Sequence, residues 1–281
     1  MRQEIHPMTF HRSLALVPLA LVSACAVEGD APASARDPVY GGAAPNQPYH
    51  AAVVALHERT SRGVSSSPFC TGTFIGGQWI LTAAHCSVDR RNRAKSASSF
   101  AVYVGDNPRL DLAAHVYLVD RVIVHPSYSG TTLRNDIALL RVTRAITESA
   151  PVPHLPGTLA LGPADIGASL NHAGFGYNEQ RLFGVKLQAD VPIGGYGCSV
   201  SGCPSPGDAA TQISYSQRAN ALYPLGLGPC NGDSGGPAFV LRGGVPYVAG
   251  ITSYGDANCN VYGVSTKVDA FDAWIRTQTG L

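Results

Sequence analysis

One serine sits in a run of glycines near the C-terminus, Cys230-Asn231-Gly232-Asp233-Ser234-Gly235-Gly236-Pro237. Little side-chain bulk shields its hydroxyl there, and backbone N–H groups can converge on one point. A hydrolase that attacks through a hydroxyl needs both features: open access to the nucleophile, and preorganised donors for the oxyanion that forms. The hydroxyl also needs a base at ordinary pH, and Thr82-Ala83-Ala84-His85-Cys86 supplies a histidine just after the apolar run Phe74–Leu81. Between the two lies Asn135-Asp136-Ile137-Ala138-Leu139-Leu140, an acid at the head of an apolar run. The chain order is His, Asp, Ser, one of the three orders in which the catalytic triad occurs. His125, His154 and His172 lack such a setting and read as surface or satisfied core residues, and the rival acids Asp111 and Asp120 head no comparable run.

These segments resemble the trypsin-like, chymotrypsin-fold serine endopeptidases, and the likeness runs from Val39 to the C-terminus. It includes Val39-Tyr40-Gly41-Gly42, which looks like a mature N-terminus, and Val124-His125-Pro126-Ser127-Tyr128. It also includes Gly174-Phe175-Gly176, Ser253-Tyr254-Gly255 and Gly263-Val264-Ser265-Thr266-Lys267-Val268. The resemblance implies that Ser234 attacks the peptide carbonyl, that His85 takes and returns the proton, and that Asp136 holds the imidazole. It implies oxyanion donors from the backbone N–H groups of Gly232 and Ser234, and a hydrogen bond from Ser253 to Asp136. It implies polypeptide substrates and no cofactor; an acidic calcium loop is not recognisable, and no metal is assigned.

In this family the acid just before the nucleophile pairs with an ammonium released by zymogen cleavage, here Asp233 with Val39. Arg36-Asp37-Pro38 precede Val39, so cleavage after the basic residue would leave two extra residues. Either an activating protease trims after Pro38, or activation differs. By the same resemblance the floor of the substrate pocket falls at Gly228 and its walls at Ser253, Gly255 and Gly263. That describes an open, uncharged pocket suited to large aliphatic or aromatic side chains, reshaped by Pro229 and by the short stretch from Cys259 to Gly263. Asp256 and Asn260 are assigned to its rim.

Seven cysteines leave one over after pairing, and Cys25 is the odd one. The resemblance pairs Cys70 with Cys86 and Cys230 with Cys259, each closure contributing about 3 kcal/mol. Cys198 and Cys203 remain to pair with each other, a departure from the family; a zinc site is the alternative, with no second ligand pair nearby.

The elements that position these residues follow from composition. Thirty-one glycines and 20 prolines in 281 residues suit short strands joined by turns. Apolar runs recur at Ala51–Leu56, Phe74–Leu81, Ala101–Val104, Val116–Val124, Ile137–Val142, Val185–Val191, Pro237–Leu241 and Val245–Thr252. The expected fold is all-β: two packed six-stranded antiparallel barrels meeting near residues 150–160, with a C-terminal helix on which Val268, Phe271, Trp274 and Ile275 share a face. A net charge of +1 with 14% charged residues gives no case for nucleic acid.

Residues 1–24 read as an export signal, with His11 and Arg12 before the apolar Leu14–Leu21. The following Val22-Ser23-Ala24-Cys25 resembles a bacterial lipobox, so Cys25 is a candidate for lipidation, favoured over an ordinary secretory signal. Residues 25–38 read as a tether or propeptide and 39–281 as the protease domain. The expectation is a bacterial exported serine endopeptidase, lipid-anchored at the cell envelope or secreted. A catalytically silent scaffold on the same fold, a latent zymogen and a small-ester hydrolase are its rivals.

Overall fold

The structure, a computed structural model, describes residues 1, 39, 41–178, 180–204 and 207–281. The expected leader and tether, with Cys25 and Arg36–Pro38, lie outside the described residues.

Six strands, β1 (Val53–Thr60), β2 (Gly63–Gly76), β3 (Trp79–Thr82), β4 (Phe100–Val104), β5 (Val116–Val124) and β6 (Ala138–Val142), close into an antiparallel barrel in the order β1-β2-β3-β6-β5-β4. Seven more, β7 (Ser169–Gly174), β8 (Leu187–Pro192), β9 (Gly195–Tyr196), β10 (Gln212–Ser216), β11 (Pro237–Arg242), β12 (Val245–Gly255) and β13 (Tyr262–Lys267), form an antiparallel sheet ordered β8-β7-β11-β12-β13-β10-β9. Helices α1 (Ala84–Ser87), α2 (Pro108–Asp111) and α3 (Asp272–Thr279) join short 3-10 turns, the last of which, Val268–Phe271, leads directly into α3. The architecture is the all-β chymotrypsin fold. Its second sheet has seven strands rather than six because the two-residue β9 pairs with the outer side of β10.

Aliphatic and aromatic side chains of every barrel strand meet inside it, among them Leu56, Phe74, Ile80, Phe100, Tyr117 and Leu139, all buried. A smaller core of Leu170, Ile213, Ala238 and Val240 fills the second sheet. Strand β2 is exposed at its start and buried at every residue from Cys70 to Gly76, because that end has the barrel interior on one side and the second sheet on the other. The chain crosses between the two bodies over three residues: Val152 N–H donates to Phe74 O at 3.0 Å, and Leu155 N–H to Val248 O at 2.9 Å.

The apolar run 74–81 is two strands, not one. Gly76 and Gly77 take φ of 126° and 57°, which turns the chain back on itself and lets β3 pair with β2. The C-terminal face is as expected: Val268, Phe271 and Ile275 are buried in the barrel core, with Trp274 packed beside them. A left-handed Gly280 ends the helix. The last segment of the chain therefore straps the second sheet to the barrel.

Candidate active site

Strand register brings His85 and Asp136 together. Thr82, the last residue of β3, pairs with Ala138, the first of β6. His85 lies three residues beyond one and Asp136 two before the other, so both emerge at the same end of the barrel. Asp136 is fully buried. One carboxylate oxygen accepts the His85 backbone N–H at 2.8 Å and the other lies 2.7 Å from His85 Nδ1. The same oxygen accepts Ser253 Oγ–H at 2.5 Å. Thr266 Oγ1 donates to the Asp136 carbonyl at 2.9 Å, so the second sheet holds this residue by two hydroxyls. A carboxylate oxygen accepts, so the tautomer that satisfies this contact carries its hydrogen on His85 Nδ1 and leaves Nε2 as the acceptor.

The serine turn is anchored to the barrel by Thr71, a residue absent from the sequence reading. Thr71 N–H donates to Ser234 O at 2.8 Å. Its Oγ1 donates to Gly232 O at 2.9 Å and accepts Phe175 N–H at 3.2 Å. Gly235 N–H donates to Thr252 O and Gly236 N–H to Asp233 O, each at 2.8 Å. The N–H groups of Gly232 and Ser234 have no acceptor among the described residues. Gly232 has φ of 100°, and a Cβ there would come within 2.8 Å of the Gly176 Cα, so only glycine fits. The Cys86 sulfur lies 3.6 Å from both His85 Nε2 and Ser234 O, which places the basic nitrogen beside the serine turn.

A cavity of about 210 Å³ opens beside Ser234, with Ser253, Gly255 and Gly263 on its wall. Its floor differs from the expected one. Gly228 does not line it; a Cβ at Gly228 would lie 2.6 Å from the Gln217 Nε2, because the Gln217 side chain fills that space. The Tyr215 ring takes the space a side chain at Gly263 would need. Both residues belong to a segment with no catalytic signature in the sequence.

Comparison with known proteins agrees with this geometry. The family model described as trypsin matches residues 39–275. The chain belongs to the trypsin family. It is 33% identical over 223 residues to brachyurin of Leptuca pugilator, covering 76% of this chain and 88% of that protein. It is 30% identical over 245 residues to trypsin eta of Drosophila erecta, covering 85% and 89%. It is also 30% identical over 236 residues to mannan-binding lectin serine protease 1 of Homo sapiens, of which the match spans 33%. The protein is a serine endopeptidase of this family, acting on polypeptides.

Asp233 of this trypsin-family chain is wholly buried, and burial pushes its carboxyl up to about 7, against the pull of two backbone donors. Those donors are Gly176 N–H and Cys230 N–H, each at 2.8 Å. No cation pairs with Asp233 among the described residues. Val39 is fully buried with Leu187, Ala189, Val191, Tyr215 and Leu227, and in the uncut chain its nitrogen is an uncharged amide. Asp256, at the cavity edge, is held by its own turn: burial raises its pKa, but the N–H groups of Tyr262, Val261, Asn260 and Asn258 outweigh that and hold it low.

The six body cysteines form Cys70–Cys86, Cys198–Cys203 and Cys230–Cys259. The bond between Cys198 and Cys203 removes the zinc alternative, since neither sulfur is a free thiolate. Among the described residues one group has metal-ligand proximity, Cys70, His85 and Cys86, and its two sulfurs are joined to each other. No helix among the described residues is long and apolar enough to cross a membrane.

Proposed function

We propose that Ser234, His85 and Asp136 hydrolyse peptide bonds through an acyl-enzyme. His85 Nε2 removes the Ser234 proton as Oγ attacks the carbonyl, and returns it to the leaving amine. Asp136 fixes the tautomer and stabilises the imidazolium; it stays ionised throughout. The free N–H groups of Gly232 and Ser234 receive the oxyanion. A water then repeats the sequence on the ester. The observation that carries this reading is the buried Asp136 carboxylate, one oxygen of which serves both His85 Nδ1 and Ser253 Oγ.

The uncharged cavity disfavours charged residues at P1, the position before the scissile bond, and has room for large apolar or aromatic ones, whose relative ranking is set by the polar groups at its floor. Its volume of about 210 Å³ exceeds the 150 Å³ or so that admits benzene. Export is part of the reading, as is a lipid anchor on Cys25; the bacterial assignment rests on Val22–Cys25 alone.

A latent zymogen is the second reading, favoured by the unpaired Asp233. On this account an activating protease frees Val39, whose ammonium then pairs with Asp233 and orders the turn. Cleavage of casein by the protein processed to Val39 tests the proposal: Ser234→Ala is expected to abolish turnover with an unchanged melting temperature. A mutant that cleaves at the parent's rate overturns it.

A further inference from the structure

Gln217 is buried, 1% exposed, in the position just after β10, and its main chain is held on both sides. Its N–H donates to Val261 O at 3.1 Å, and its carbonyl accepts Leu227 N–H at 3.4 Å. The side-chain amide is also fixed. Nε2 donates to Pro229 O at 2.7 Å, and the flipped amide would set two oxygens against each other at that distance. The remaining atom, Oε1, has no donor among the described residues. It is not sealed in protein, since it does not join the buried polar atoms that lack a partner. It lies 3.4 Å from where a Cβ on the wall residue Gly255 would stand, and Gln217 lines the cavity beside Ser234.

We propose that Gln217 Oε1 is a specificity-determining acceptor in this cavity, and that the enzyme selects P1 side chains ending in a hydrogen-bond donor over apolar ones of the same shape. The inference rests on the proposed function and sharpens it. A carbonyl oxygen held at the floor is solvated while the pocket is empty. An apolar P1 side chain strips that water and leaves the oxygen unsatisfied, whereas a tyrosine hydroxyl or a carboxamide N–H replaces it. The discrimination comes from the cost imposed on the wrong substrate as much as from the bond to the right one. Pro229, which departs from the family pattern, accepts the Nε2 hydrogen and so aims the oxygen. Glutamine does not titrate, so the selection is independent of pH.

The test uses the full-length protein processed to its active form and peptide pairs differing only at P1: Tyr against Phe, Gln against Met, and Asn against Leu. The expected kcat/KM ratios favour the donor by about tenfold. Gln217→Met, which keeps the shape and loses the acceptor, is expected to bring the ratios to about one. Wild-type ratios at or below one overturn the inference, as do ratios unchanged in Gln217→Met. Labelling of Ser234 by a fluorophosphonate separates the two levels. A labelled, active enzyme without donor preference overturns this inference alone, and a folded enzyme that takes no label overturns the proposed mechanism with it.

Discussion

The backbone N–H of Thr71 donates to the carbonyl of Ser234 at 2.8 Å, so strand β2 of the barrel is bonded directly to the serine's own peptide. The histidine and acid come from the barrel and the serine from the second sheet, and this bond sets their separation. The Thr71 hydroxyl reinforces it through Gly232 and Phe175. Thr71→Val keeps the main-chain bond and removes the hydroxyl bridge. It should cost about 1–2 kcal/mol of stability and lower kcat about tenfold with little change in KM, measured by thermal unfolding and steady-state kinetics. Thr71→Ser should restore most of the activity.

Asp233 makes the uncut chain sensitive to pH. Its pKa is raised by burial from 3.8 to about 7, so the folded state holds a proton that the unfolded state gives up. The contribution is full below pH 3.8, falls as pH rises through about 7, and reaches about 4 kcal/mol. Urea titrations of uncut protein should show this decline, and Asp233→Asn should flatten the curve by that amount. After cleavage before Val39 the decline should vanish, because a paired carboxylate no longer prefers its proton.

His172 acts in the opposite direction. It is fully buried against the Tyr215 ring, neither ring nitrogen has a partner among the described residues, and burial lowers its pKa to about 3. Its contribution is present above pH 6.5 and is lost as pH falls toward 3. His172→Phe should raise stability at pH 4 relative to pH 8 when compared with wild type, read from the same urea titrations.

The disulfides should differ in worth. Cys198–Cys203 closes a separation of 5 residues and Cys230–Cys259 one of 29. Chain-entropy loss predicts about 2 kcal/mol for the first and about 4 kcal/mol for the second. Replacing each pair by serine and measuring unfolding should reproduce that order.

The barrel and its two site residues were legible because apolar runs mark β1, β4, β5 and β6 and because His85 and Asp136 sit at the ends of such runs. Strands β7, β10 and β13 were not. Gln212-Ile213-Ser214-Tyr215-Ser216 and Tyr262-Gly263-Val264-Ser265-Thr266-Lys267 are rich in hydroxyls and glycine, yet β13 is buried throughout and β10 at all but its last residue. Several of their hydroxyls find partners far along the chain: Thr266 on Asp136, Ser214 with Ser199. Gln217 and Thr71 were invisible for the same reason. Each acts through a contact with a residue distant in the chain, and nothing in its neighbours announces that contact. Val39 and Asp233 were legible as a pair by resemblance, whereas the uncut chain holds them apart chemically, one an amide and the other an acid without a cation.

The central claim is that Ser234 is an activated nucleophile. Fluorophosphonate labelling of the protein processed to Val39, with the uncut chain and Ser234→Ala alongside, tests it most directly. The account predicts label on the processed protein, little on the uncut chain and none on the variant. A folded, processed protein that takes no label would contradict it, and so would label that persists in Ser234→Ala.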